Sequence, residues 1–102
     1  MPPEIVVRPE AHRDAAEAGD WYDERVQGLG TAFLDQFGGA INSVRQSPLA
    51  YPVYRAEIRR IRLSRFPYPV FYAVDDAQIA VLAVFHLARD PRSLRKILRQ
   101  RE

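Results

Sequence analysis

Four arginines fall within seven residues, at Arg59, Arg60, Arg62 and Arg65. A second basic run follows His86, at Arg89, Arg92, Arg95 and Lys96, and Tyr68 and Tyr72 stand between the two. Guanidinium groups neutralise phosphates, and tyrosine rings offer a stacking surface. Brought together on adjacent strands, these residues would form a groove for single-stranded RNA. The same residue types anchor protein interfaces, where an acidic partner segment would meet the basic face. A third reading needs no ligand: the arginines line the solvent face of a sheet, and the tyrosines complete the core with hydroxyls at its rim. Composition and periodicity leave all three open.

Arginine stays protonated at neutral pH, so it can stabilise developing charge but not abstract a proton. An imidazole can do either, which makes His86 the candidate acid or base. Held by Asp90 or by a backbone carbonyl, it would instead be structural. Trp21 and Tyr22 read as seals between helix and sheet. With no cysteine, and His12 and His86 as the two imidazoles, a metal site would have to be built from carboxylates, and none is expected. Gly28, Gly30, Gly38 and Gly39 lack the lysine and strand context of a phosphate loop. No serine sits on a nucleophile turn. No cofactor is expected.

The elements that must position these groups follow from periodicity. Glu4–Pro9 is a short apolar run closed by proline, read as a strand, and Pro9 can open a helix. Ala11, Ala15, Ala18, Tyr22 and Val26 recur at helical spacing, as do Leu29, Phe33, Phe37, Ile41 and Val44 before Pro48. The two segments predict an antiparallel helical hairpin interrupted at Gly28 and Gly30. Gly38 and Gly39 inside the second helix cost about 1 kcal/mol each relative to alanine; a close backbone approach or a local kink would account for them.

After Pro48 the period becomes two. Residues 53–66 predict a strand or two, with Ile61 and Leu63 facing away from Arg60, Arg62 and Ser64. Pro67 and Pro69 place a turn or edge position next. Residues 69–74 and 78–85 read as strands joined by a turn at Asp75–Ala77. The second is apolar on both faces, hence interior to the sheet, and its alternation would align His86 with Leu82 and Val84. Asp90 and Pro91 open a short basic helix with Leu94, Ile97 and Leu98 inward. The fold class is therefore α+β in the order β-α-α-β-β-β-α: a helical hairpin on a mostly antiparallel sheet, with a basic C-terminal helix.

A chain of 102 residues with 47% hydrophobic and 27% charged side chains suits one globular domain, residues 1–102. Its longest apolar run, Ile79–Phe85, is far too short to span a membrane. The absence of cysteine fits a reducing compartment, the cytoplasm. Residues 1–54 carry four basic and eight acidic side chains, whereas residues 55–102 carry eleven basic and five acidic. Any anion-seeking surface thus comes from the second half.

The ordered set WY (Trp21–Tyr22), GLG (Gly28–Gly30), RFPY (Arg65–Tyr68) and HLARDP (His86–Pro91) lies in a stretch from Ala11 to Arg99. This stretch resembles the RelE/ParE superfamily of bacterial toxins from type II toxin–antitoxin pairs. The resemblance implies a helical hairpin on an antiparallel sheet, and an antitoxin partner that wraps or caps the toxin in a hetero-oligomeric complex. RelE-like members cut mRNA on the ribosome by attack of a 2′-hydroxyl on the adjacent phosphate. In that case Arg60, Arg62 and Arg65 would contact RNA phosphates and His86 would shuttle the proton. Such members often carry a tyrosine near the C-terminus, whereas no tyrosine follows Tyr72. ParE-like members inhibit DNA gyrase by binding. The resemblance therefore points first to a ParE-like gyrase inhibitor. A ribosome-dependent mRNA endonuclease comes second, and an antitoxin-binding domain without toxicity third. Target or antitoxin contacts are expected at Arg59, Tyr68, Tyr72, Arg89, Arg92, Arg95 and Lys96.

Overall fold

A computed structural model describes residues 4–102. The chain runs β1 (Glu4–Val7), α1 (Pro9–Arg25), α2 (Leu29–Gln46), β2 (Val53–Arg55), β3 (Ile58–Arg62), β4 (Pro69–Val74), β5 (Gln78–Val84) and α3 (Pro91–Arg101). The α+β order expected from periodicity holds, with the segment after Pro48 resolving into two strands. The turn between them places Ala56 at φ 52°, a left-handed conformation unusual for a residue with a Cβ. Pro9 and Pro91 each open a helix, and the Asp90 carboxylate accepts from the Arg92 N–H at 3.1 Å as the α3 cap.

The five strands lie in the order β1-β5-β4-β3-β2. All neighbours pair antiparallel except β1, which runs parallel to β5 through Glu4–Gln78 to Val7–Val81. Helices cover both faces. On one, Ala11, Ala15 and Ala18 of α1 and Phe33, Phe37 and Val44 of α2 pack on Val70, Tyr72, Ile79, Val81 and Val84. On the other, Leu94 and Leu98 of α3 pack on Ile58, Phe71, Ala80, Leu82 and Phe85. That two-sided burial is why β5 reads as a continuous apolar run, each large side chain contributing about 1.5–3 kcal/mol on burial.

Two expectations about the helices need correcting. Val26 leaves the α1 stripe: it caps the helix and is exposed. Gly30 is not part of the interruption but the second residue of α2, where it is the point of helix crossing. A Cβ there would collide with the Gly19 carbonyl oxygen of α1 and lie 2.6 Å from the Asp23 carboxyl carbon. Asp23 accepts the Gly30 N–H at 2.7 Å, satisfying a first-turn donor that the helix itself leaves free. Gly28 makes the turn, at φ 88°. Around Gly38 and Gly39, by contrast, a Cβ would meet no atom within 4 Å, so neither marks a close approach within the chain.

The pairing of β4 with β5 shifts between Phe71 and Tyr72, and this irregularity defeats simple alternation. Leu82 enters the α3-side core while Val84 enters the hairpin-side core, so His86 does not share a face with both.

Candidate functional site

At the end of β5 the chain leaves the sheet at His86, beside the loop between β3 and β4. That loop is held from α2. Gln36 Oε1 accepts the backbone N–H of Ser64 and of Arg65, each at 3.0 Å, while its Nε2 donates to Ser64 Oγ at 2.9 Å. Leu87 N–H donates to the Pro67 carbonyl at 2.7 Å, tying the two loops together. Tyr68 therefore has a fixed position, its ring edge-on to His86 at 5.3 Å and to Phe33 at 5.0 Å. Burial, and secondarily Tyr22, raises the Tyr68 hydroxyl pKa above its ordinary value.

Two recesses meet at Tyr68. One, of about 430 Å³, has an apolar floor of Ala18, Val84 and Phe85, flanked by Glu17 and Trp21 of α1 and by His86 and Arg89 opposite. The other, of about 300 Å³, is bordered by Arg62, Arg65, Pro67 and Leu87. Trp21 is 48% exposed, so it does not seal helix to sheet as expected. It forms the rim of the first recess, with the Arg25 guanidinium 3.4 Å above its ring. Tyr22 does act as a seal, packing on Phe33, Phe66 and Tyr68.

The basic residues do not converge on one point. Arg59 shares the hairpin face of β3 with Ile61, and its guanidinium is spent on the carbonyls of Tyr51, at 2.7 Å, and Leu49, at 3.3 Å. Arg60 points to the opposite face, its guanidinium 5.2 Å from the Tyr54 ring centroid. Arg62 and Arg65 reach the smaller recess, and Arg89 lies over Phe85 at 4.3 Å on the border of the larger. Arg92, Arg95 and Lys96 belong to α3.

Tyr72, expected as a contact residue, has no exposed surface at all. Its hydroxyl donates to the Pro48 carbonyl at 2.7 Å, and burial pushes its pKa up to about 12. It is a core residue, because plain alternation along β4 puts it on the hairpin face with Val70 and Val74.

His86 is exposed, and its Nδ1 accepts the Ala88 N–H at 2.9 Å. The partner is neither Asp90 nor a carbonyl. With Nδ1 as acceptor, the neutral ring carries its proton on Nε2, which is left free. His86 and the Arg62–Arg65 pair thus border different recesses, with Tyr68 common to both.

What sequence reasoning missed is the α1 side of the larger recess: Asp14, Glu17 and the outward face of Trp21. The one local signal was the adjacent WY pair, of which a helix buries only one ring.

The helical hairpin on one face of a five-stranded sheet fits the RelE/ParE toxin superfamily. The chain belongs to one family within it: the model for the ParE toxin of the type II toxin-antitoxin system, parDE, matches residues 5–91. Among solved structures, a chain from the chromosomal ParDE TA system of P. aeruginosa is similar, with a TM-score of 0.75 at 15% identity. The likeness covers 83% of this chain and 96% of that one, and at such low identity it shows the shared fold. No curated protein matches the sequence significantly.

Proposed function

We propose that this ParE-family chain arrests growth in the cytoplasm by binding and inhibiting DNA gyrase, and that a cognate antitoxin protein neutralises it by seating a segment in the Trp21–Tyr68–Arg89 recess. Family membership over residues 5–91 carries the reading. Two features of the site support a binding mechanism over RNA cleavage. The expected catalytic set of Arg60, Arg62, Arg65 and His86 is divided between opposite sheet faces and separate recesses. The recess itself has an apolar floor, an exposed tryptophan at the rim and charges at its flanks, the anatomy of a protein interface.

The test is a supercoiling assay with antitoxin-free protein in stoichiometric excess over gyrase. Loss of supercoiling is expected. Normal supercoiling together with codon-positioned mRNA cleavage on translating ribosomes would replace the gyrase reading with the RelE-like one. Trp21→Ala should weaken the antitoxin complex by at least about tenfold, as expected for an exposed aromatic anchor, without lowering the melting temperature. Undiminished antitoxin affinity in that variant would move the antitoxin elsewhere. A tight antitoxin complex with no growth arrest on induction would leave an interaction domain without toxicity.

A further inference from the structure

α3 carries Arg92, Arg95, Lys96, Arg99 and Arg101 and no acidic residue between its first and last positions. Arg101 turns inward, but Arg92, Lys96 and Arg99 are exposed, and Arg95 is half-buried beside Arg99, Arg55 and the exposed Glu102, which makes no ion pair with them among the described residues. Among the described residues none of Arg55, Arg92, Arg95, Lys96 and Arg99 is in an ion pair, the two present being Arg25–Glu24 and Arg101–Asp14. Asp90, the nearest acid on the N-terminal side, is engaged with the Arg92 N–H and the Ser93 hydroxyl.

Helix stability accounts for Arg99, in the last turn, but not for the whole row. Cations favour the last turn of a helix, yet Arg92 stands in the first, where the macrodipole opposes it and acids are the stabilising residues. The match to the ParE family ends at Pro91, so the row also lies outside the matched stretch.

We infer that the outer face of α3, with Arg55, is a sequence-independent binding surface for the phosphate backbone of duplex DNA. Residues 92, 95, 96 and 99 lie at i, i+3, i+4 and i+7, one stripe about 10 Å long, over which one strand of a duplex presents about three phosphates. The outward positions also include Pro91, Ser93 and Gln100 but no large apolar or aromatic side chain, whereas the centre of a protein interface is rich in such side chains and depleted in lysine. Nor does the helix carry an aromatic ring on which an unpaired base could stack, which argues against single-stranded RNA. The expected antitoxin contacts at Arg92, Arg95 and Lys96 are thereby reassigned, while the gyrase proposal stands or falls separately.

The experiment is fluorescence anisotropy of the full chain with a random-sequence duplex, an equal length of single-stranded RNA and a polyglutamate peptide, across a salt series. The duplex is expected to bind best, with a log–log salt slope near −4, about 0.9 per phosphate contacted, so that affinity drops about two hundred-fold from about 50 to about 200 mM salt. Replacing Arg92, Arg95, Lys96 and Arg99 together by Gln should bring the slope to about −1. Replacing the three arginines by Lys should preserve both binding and slope, which separates loss of charge from loss of fold. An unchanged slope in the Gln variant overturns the inference. Tighter binding of the RNA overturns it in favour of single strands, and tighter binding of polyglutamate overturns it in favour of an acidic protein segment.

Discussion

Asp14 and Arg101, separated by 87 positions in sequence, form an ion pair of 2.6 Å that closes the edge of the sheet where β1 ends. The last rung from the β1 side is Arg8 N–H to the Val81 carbonyl, at 3.0 Å. Beyond it, Arg101 Nη1 donates to the Leu82 carbonyl at 3.1 Å, and Asp14 Oδ2 accepts the Val84 N–H at 3.2 Å. One pair thus replaces a missing strand and fastens α1, on one face, to α3, on the other.

Asp14→Ala should lower stability by about 2–3 kcal/mol, because it leaves the Val84 N–H and a largely buried guanidinium without their acceptor. For a domain of this size that is a fall in melting temperature of about 10–20 °C. Asp14→Asn, which keeps an acceptor oxygen, should cost less. Equal melting temperatures for wild type and Asp14→Ala would mean the pair is dispensable.

Acid titration should separate Asp14 from Asp75, whose shifts have opposite signs. Burial raises the Asp14 pKa above 3.8, against the lowering effect of Arg101 and the Val84 N–H. Its linked stability is therefore complete below 3.8 and declines as pH rises through the folded value, so wild type gains on Asp14→Asn as pH falls through that value. Asp75 in the β4–β5 turn accepts from the Gln78 and Ala77 N–H groups, each at 2.8 Å, which lowers its pKa. Its contribution is present above 3.8 and disappears as pH falls through the folded value, so the deficit of Asp75→Ala should shrink there. Thermal melts from neutrality into acid read both trends.

The glycines of α2 should divide sharply. Gly30→Ala forces its Cβ into the Gly19 carbonyl and the Asp23 carboxyl, so the hairpin must splay, at a cost of about 2 kcal/mol or more. Gly38→Ala and Gly39→Ala meet open space and should each stabilise the helix by up to about 1 kcal/mol. Denaturant midpoints of the three variants check the order.

Tyr72→Phe removes the donor to the Pro48 carbonyl and should cost about 1–2 kcal/mol. In an alkaline spectrophotometric titration, the phenol ionising near 12 should vanish in this variant. Because the folded value lies above the ordinary 10.0, the stability tied to this group is intact below 10.0 and is lost as pH climbs toward about 12.

Gln36→Ala should release the loop that carries Arg65. Amide exchange at Ser64 and Arg65 should quicken by at least about tenfold, because both N–H groups lose their common acceptor, with a stability cost of about 1–2 kcal/mol. Unchanged protection at those two amides would show that the loop is held by other contacts.

The elements were legible because they rest on local rules. The alanine and phenylalanine spacings mark the buried faces of α1 and α2, and Pro9, Asp90 and Pro91 mark helix starts. The two-sided apolar run marks β5 as interior to the sheet. Site residues were less legible. Tyr68 and Tyr72 look alike in sequence, four positions apart, yet one lines both recesses and the other is sealed in the core. Both lie on the hairpin side of the sheet, and place along the chain decides the difference: Tyr72 stands mid-strand in β4 and donates to Pro48, whereas Tyr68 precedes the strand in the loop beside His86.

By itself the sequence determined the α+β class, the helical hairpin, the basic character of the C-terminal half and the likeness to a toxin family. The first two are carried by residues within a few positions of one another, where propensity, capping and periodicity act; the last two are read from composition and from the order of short motifs along the chain. Only the tertiary structure decided that β1 runs parallel to β5, that Trp21 faces out while Tyr22 faces in, and that Arg59 and Arg101 serve the fold while Arg92 and Lys96 are exposed, with no ion pair among the described residues. Those outcomes depend on which distant groups are left needing a partner once the layers have packed. An arginine is held where a buried carbonyl or carboxylate lacks a mate and stays free where none does.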